Sequence, residues 1–146
     1  MIGLRRGDVS LYDHENEWDT EGERTVNELF EILGGDARNI QHIGSTSVKS
    51  IKAKPIIDIA VAADSFERIL SHENELLQSG YHYRPDKTTD GEQLLFAKGS
   101  YYEGGDMQTH FIHVVKYNSM QWRNYINFRD FLNAFPEKAK QYESVK

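Results

Sequence analysis

Residues 56–62 read Ile-Ile-Asp-Ile-Ala-Val-Ala, a nearly continuous apolar run with one acid inside it. A run this short and this apolar reads as a central strand, with helices needed to cover the sheet that holds it. An acid in such a strand is expensive to bury unless a metal or a base accompanies it. Asp58 is therefore the residue whose presence most needs a functional reason.

The rest of the chain supplies partners for that strand. Trp18, Val26, Leu29, Phe30 and Leu33 recur at helical spacing, which predicts an amphipathic helix over 17–33 stopped by Gly34-Gly35. Residues 39–43 read as a short strand and 45–50 as a polar loop or one helical turn. Asp64 and Ser65 can cap a helix running to about residue 78, ended by Gly80. Short strands are expected at 81–84, 92–98 and 109–116, with turn-rich sequence at 87–91 and a loop at 99–106. Residues 119–134 read as a helix, and Pro136 suits the start of another that runs to the C-terminus. Trp18, Trp122, Phe128, Phe131 and Phe135 are expected in the core. The order predicts an α/β (α+β) fold: a small mixed sheet with flanking helices.

The 146 residues suit one domain, 1–146, without repeats or a linker. Seventeen basic against 23 acidic residues give a net charge of −6, which disfavours broad nucleic-acid coating but leaves room for a local basic patch. Nothing approaches the roughly 20 apolar residues of a membrane span. Arg5 and Arg6 have no apolar run behind them, so no signal peptide is expected. The chain lacks cysteine, which excludes disulfides and thiolate metal sites and fits a cytoplasmic location.

The chemistry concentrates in His42-Ile43-Gly44-Ser45-Thr46-Ser47-Val48 and the following Lys54-Pro55-Ile56-Ile57-Asp58. Glycine lets a backbone approach a ligand closely. Amides and hydroxyls at a turn after a strand suit a phosphate. A carboxylate beside phosphates is the usual Mg²⁺ arrangement. Gly44, Ser45 and Thr46 are thus candidates to cradle phosphates, Lys54 to offset their charge, and His42 to assist at the turn, with Asp58 holding a divalent metal.

These stretches closely resemble the signature of the GrpB family. So do Tyr12-Asp13 with Trp18, the strand Thr109-His110-Phe111-Ile112-His113-Val114, and Phe128-Arg129-Asp130-Phe131-Leu132 followed by Pro136-Glu137 and Tyr142. The resemblance covers roughly residues 9–146. It implies a fold similar to the DNA polymerase β-type nucleotidyltransferases, which pair a Gly-Ser turn with an acid-x-acid strand and a third acid on a later strand. Gly44 and Ser45 match the turn, and Asp58 matches the first acid. The second acid is replaced by Ala60, and the later strand offers His110 and His113 but no acid. Imidazole suits Zn²⁺ or other transition metals better than Mg²⁺.

The resemblance implies transfer of a nucleoside monophosphate from a triphosphate to an unknown acceptor, with Mg²⁺ or another divalent metal on Asp58, His110 and His113. The alternative is a non-catalytic module for a nucleotide or phosphometabolite, with a coenzyme-A link implied by GrpB domains fused to dephospho-CoA kinase. A third reading is a Zn²⁺ protein or metal-dependent hydrolase using His42, Asp58, His110 and His113. Plainer roles compete with each. Ser45 and Thr46 suit a helix cap, and Asp58 can bond backbone amides or Lys54. His110 and His113, three apart on a strand, point to opposite faces, so at least one is expected to be structural. Lys98 and Arg84 are weighed as phosphate clamps against plain solvated cations, Glu103 and Asp106 read as surface loop, and Arg129 as an ion-pair former.

Overall fold

A computed structural model describes residues 1–88 and 91–145. In chain order the elements are β1 (Leu4–Arg5), α1 (Asn16–Leu33), β2 (Ala37–Ile43), β3 (Ile57–Ala63), α2 (Phe66–Leu70), α3 (Glu73–Gln78), β4 (His82–Tyr83), β5 (Gln93–Lys98), β6 (Met107–Gln108), β7 (His110–Lys116), α4 (Met120–Ala134) and α5 (Pro136–Ser144). Five strands form a mixed sheet in the order β2-β3-β7-β5-β4. β3 runs parallel to β7 and antiparallel to β2. β1 and β6 pair separately.

The apolar run becomes an interior strand because both of its faces are covered. Ile57, Ile59, Val61 and Ala63 join Trp18, Leu29 and Leu33 of α1, with Ile69 of α2 and Leu76 of α3, in the main core. Ala60 and Ala62 face the other way, against Ile43, Val115 and Trp122 of α4. Each fully buried Ile or Val contributes on the order of 1.5–3 kcal/mol. α1 ends at Gly34, whose φ of 55° suits only glycine well. Ser65 and Ser119 accept hydrogen bonds from the Arg68 and Trp122 amides and start α2 and α4.

The structure departs from these expectations at several points. The helix expected from residue 65 to 78 is two short helices, broken at Ser71-His72, where His72 Nε2 reaches Asp36 at 2.8 Å. β1 and β6 fall at residues for which no element was expected. Phe128, Phe131 and Phe135 are not core: they are 39%, 49% and 52% exposed, and of α4 only Trp122 and Leu132 are buried. Apolar side chains surround α4, but only one stripe can face the sheet. Phe30 on α1 is likewise 39% exposed. Of the expected turn at 87–91, Thr89 and Asp90 lie outside the described residues, as does Lys146 at the end of the last expected helix. No helix among the described residues is long and apolar enough to cross a membrane.

Candidate functional site

The site begins where β2 ends. Ile43 pairs with Asp58 across the sheet. Gly44 then turns the chain with φ 75°, and Ser45–Ser47 form one 3₁₀ turn, closed by the Ser47 amide on the Gly44 carbonyl at 3.1 Å. Gly44 lies directly on the Asp58 carboxylate: a Cβ there would sit 2.8 Å from Oδ2. Glycine is needed both for the dihedral and for the close approach.

Asp58 sits at the start of β3, on the face that carries α4. His113, on the adjacent parallel strand, places Nε2 3.0 Å from Asp58 Oδ1. The two side chains are 30% and 19% exposed, so the pair borders solvent. The other imidazole nitrogen, Nδ1, is buried and has no hydrogen-bond partner among the described residues. Tyr125 of α4 packs its ring 5.5 Å from that of His113, and burial, helped by the Asp58 charge, raises its phenol pKa.

Three depressions meet around this pair. The first, about 370 Å³, is lined by Ser45, Thr46, Lys54 and Asp58, with Arg5 and Asp8 from the N-terminal segment. The second, about 430 Å³, lies between Gly44, Asp58 and His113 and the α4 residues Asn124, Tyr125 and Phe128. The third, about 300 Å³, is bounded by Arg6, Arg84, Lys87, Gln108, Phe111 and His113. Gln108 and Phe111 stand between the first and third.

The structure brings together Gly44, Ser45, Thr46, Lys54, Asp58 and His113. It does not bring His42 or His110 to them. His42 faces α1, where a Cβ on Gly22 would lie 2.7 Å from its Cγ, and its Nε2 is 2.9 Å from Thr46 Oγ1. Burial pushes its pKa down to about 4, so the ring is neutral near pH 7 and braces the turn from behind. His110 also faces α1. Its Nε2 bonds Glu21 at 2.7 Å, and burial outweighs that carboxylate and lowers its pKa. Arg24, with help from His110, holds the Glu21 carboxyl down to about 2.

The four-residue set of the hydrolase reading is therefore split two and two by the sheet. Among the described residues no three His, Asp or Glu side chains converge to hold a metal ion. The expected metal triad of Asp58, His110 and His113 reduces to Asp58 and His113. Thr46 is buried and its hydroxyl is directed at His42. Lys98 lies over the Tyr81 ring at 4.8 Å on the α1 face, away from the depressions, whereas Arg84 lines the third. Arg129 ties α4 to β2 through Gln41 Oε1 at 2.9 Å and the His42 carbonyl at 3.1 Å, besides pairing with Asp130. Asp106 pairs with Arg5 at 3.4 Å and Glu103 lies 3.5 Å from His82, both at the surface.

Sequence reasoning missed Arg5, Arg6, Lys87, Asn124 and Tyr125. Arg5 and Arg6 reach the site because β1 pairs with β6 and the Gly3 amide bonds the Pro55 carbonyl at 2.7 Å. The only sequence signal was their adjacency.

Comparison with known proteins agrees with the fold. A family profile described as GrpB protein matches residues 8–146. The "Glutamate-rich protein GrpB" of Alkalihalophilus pseudofirmus is 39% identical, over all of this chain and 83% of that protein. The dephospho-CoA kinase of Mycolicibacterium paratuberculosis is 31% identical over 53% of this chain and 20% of the kinase. The solved structure of conserved protein GrpB from Enterococcus faecalis superposes with TM-score 0.82 at 27% identity, covering 93% of this chain and 79% of that one. A cytoplasmic RNA terminal U-transferase superposes with TM-score 0.60 at 17% identity, over 86% of this chain and 36% of that one, a likeness of fold alone. The extent of the family match, and the identity to a relative covered over most of its length, show that this chain belongs to the GrpB family.

Proposed function

We propose that the protein transfers a nucleoside monophosphate from a triphosphate to an acceptor hydroxyl, with Asp58 as the metal-holding and catalytic residue. The observation that carries this reading is the seating of Asp58 under Gly44, open to a depression that also holds Ser45, Lys54 and Arg5. In it the phosphates lie along the Gly44-Ser45-Thr46 turn, and Lys54 and Arg5 offset their charge. One carboxylate suits Mg²⁺, which keeps several waters and takes its other ligands from substrate phosphates. The ion, when bound, supplies charge neutralisation at the phosphoryl groups. His113 fixes the Asp58 rotamer through Oδ1.

The acceptor oxygen forms a bond to the α-phosphorus, the bond to the bridging oxygen breaks, and pyrophosphate departs. The hydroxyl proton passes to the Asp58–His113 pair. The test is incubation with α-labelled triphosphates, Mg²⁺ or Mn²⁺ and cell extract. Labelled product that disappears in Asp58→Ala is expected; label transfer that survives Asp58→Ala overturns the reading.

One observation favours a second reading, a module that binds a nucleotide or phosphometabolite without transfer. Ala60 is fully buried against Ile43, Val115 and Trp122, so the position of a second acid is an apolar contact. The partial similarity to dephospho-CoA kinase supports a coenzyme-A-linked form of this reading. Calorimetry then shows triphosphate binding with no labelled product.

A further inference from the structure

We propose that the depression between Arg6, Arg84 and Lys87 is a second anion site that receives a phosphate group of the acceptor. This rests on the reading that the donor triphosphate lies on the Ser45–Lys54 side of Asp58.

Charge is the first argument. The chain carries −6 overall, yet among the described residues this depression is lined by three cations and no carboxylate. The first depression mixes Arg5 and Lys54 with Asp8 and Asp58, which suits a metal–phosphate pair. The third suits an anion alone.

Pre-organisation is the second. Solvated surface arginines wander, and ordering one on binding costs side-chain entropy. Here two come from distant points of the chain and are stacked in advance. Arg6 lies 4.7 Å from the ring centre of Tyr101, and Arg84 lies 5.2 Å from that of Tyr102. The two tyrosines are neighbours in one 3₁₀ turn, with ring centres 5.0 Å apart and nearly perpendicular. Asp86 engages Nε and Nη2 of Arg84 at 3.0 and 2.8 Å, and no carboxylate bond to Nη1 is present among the described residues. A stacked, one-side-held guanidinium is a fork set for a phosphate.

Position is the third. Asp58 opens to the first and second depressions, and His113 to the second and third. Their 3.0 Å bond lies where these hollows meet. A triphosphate on one side and a phosphorylated acceptor on the other would flank the pair, with Gln108 and Phe111 between their charged ends.

The test is calorimetry at low salt on the whole chain with three probes: ATP, glycerol 3-phosphate and a 5′-phosphorylated trinucleotide. Arg6→Gln/Arg84→Gln/Lys87→Gln is expected to weaken a phosphorylated acceptor probe by about tenfold or more, the loss of at least one charge-assisted bond. ATP binding should change by less than about threefold. Lys54→Ala should do the reverse. Arg84→Lys, which keeps charge but loses the fork, should fall between wild type and the triple variant. Binding of glycerol 3-phosphate alone identifies a small phosphometabolite, and of the trinucleotide alone a nucleic-acid end; either supports the site. Failure of both probes to bind the wild type overturns it, as does a triple variant that binds them unchanged or loses ATP equally. ATP binding indifferent to Lys54 and Asp58 would instead remove the donor reading, and loss of acceptor probes in the triple variant would still stand.

Discussion

Gly44 and Asp58 touch across the end of the β2–β3 hairpin so closely that a single methyl group on Gly44 would lie 2.8 Å from Oδ2 and 3.0 Å from Cβ of the acid. The turn and the carboxylate are one unit: neither can change without moving the other.

Gly44→Ala tests that unit. The φ of 75° is strained for alanine, and the new Cβ must push the acid aside. We expect a loss of about 1–3 kcal/mol in urea unfolding and loss of triphosphate binding. An alanine variant as stable and as competent as wild type would show that the apposition is incidental.

Asp58→Asn separates binding from folding. The side chain is 30% exposed, so its replacement should cost no more than about 1 kcal/mol. Metal-dependent triphosphate binding should disappear while the melting temperature barely moves. A variant that keeps metal-dependent binding would point to another ligand.

His110→Phe probes the opposite face. It removes the buried bond to Glu21 but leaves Arg24 on that carboxylate. The expected cost is about 1–3 kcal/mol, with triphosphate affinity unchanged. Selective loss of affinity without loss of stability would return His110 to the site.

Gly22→Ala runs against helix propensity. Glycine inside a helix normally costs about 1 kcal/mol relative to alanine, so the change would ordinarily stabilise α1. Here the methyl group would overlap the His42 ring, whose Cγ lies 2.7 Å from the built Cβ. We expect destabilisation by about 1–3 kcal/mol. A rise in melting temperature would mean that His42 swings away freely.

Burial of His42 also gives a pH signature. Its native pKa is about 4 against 6.5 for the exposed ring, so between these values the unfolded chain binds the extra proton. Its contribution is full above pH 6.5 and is lost as pH falls toward 4, by roughly 3 kcal/mol at most. His110, lowered as well, acts in the same sense, while the Glu21 contribution is full above pH 4.5 and is lost as pH falls toward 2. His72, raised by Asp36, has the opposite sign: its contribution is present below pH 6.5 and fades as pH rises through its native value. Urea unfolding of His42→Asn from pH 4 to 7 should be flatter than wild type; parallel curves would exclude His42 as a source of the slope.

What could be read from the sequence was whatever local pattern dictates. The apolar run gave β3, the Gly-Ser turn gave the bend beside Asp58, and strand alternation put His110 and His113 on opposite faces. Which face meets which helix could not be read, because that depends on how α1 and α4 dock. No local signal separates His42 from His113, although one packs on Gly22 and the other on Tyr125. Phe131 and Phe135 are as hydrophobic as core residues, but one helix stripe can bury only some of the apolar side chains around α4. The Arg6–Tyr101 and Arg84–Tyr102 stacks are long-range and carry no local signal.

β3 and β7 run in the same direction, with Ala60 opposite His113 and Ile57 opposite His110. Parity along such a pair is all-or-none: odd and even positions exchange sides together. One residue inserted just before His110 without compensation would swing His113 through the sheet and bring a neighbour to face Asp58. The spacing of that short segment thus acts as a reading frame for the site, and length variation should be better tolerated in loops whose shift leaves this frame intact.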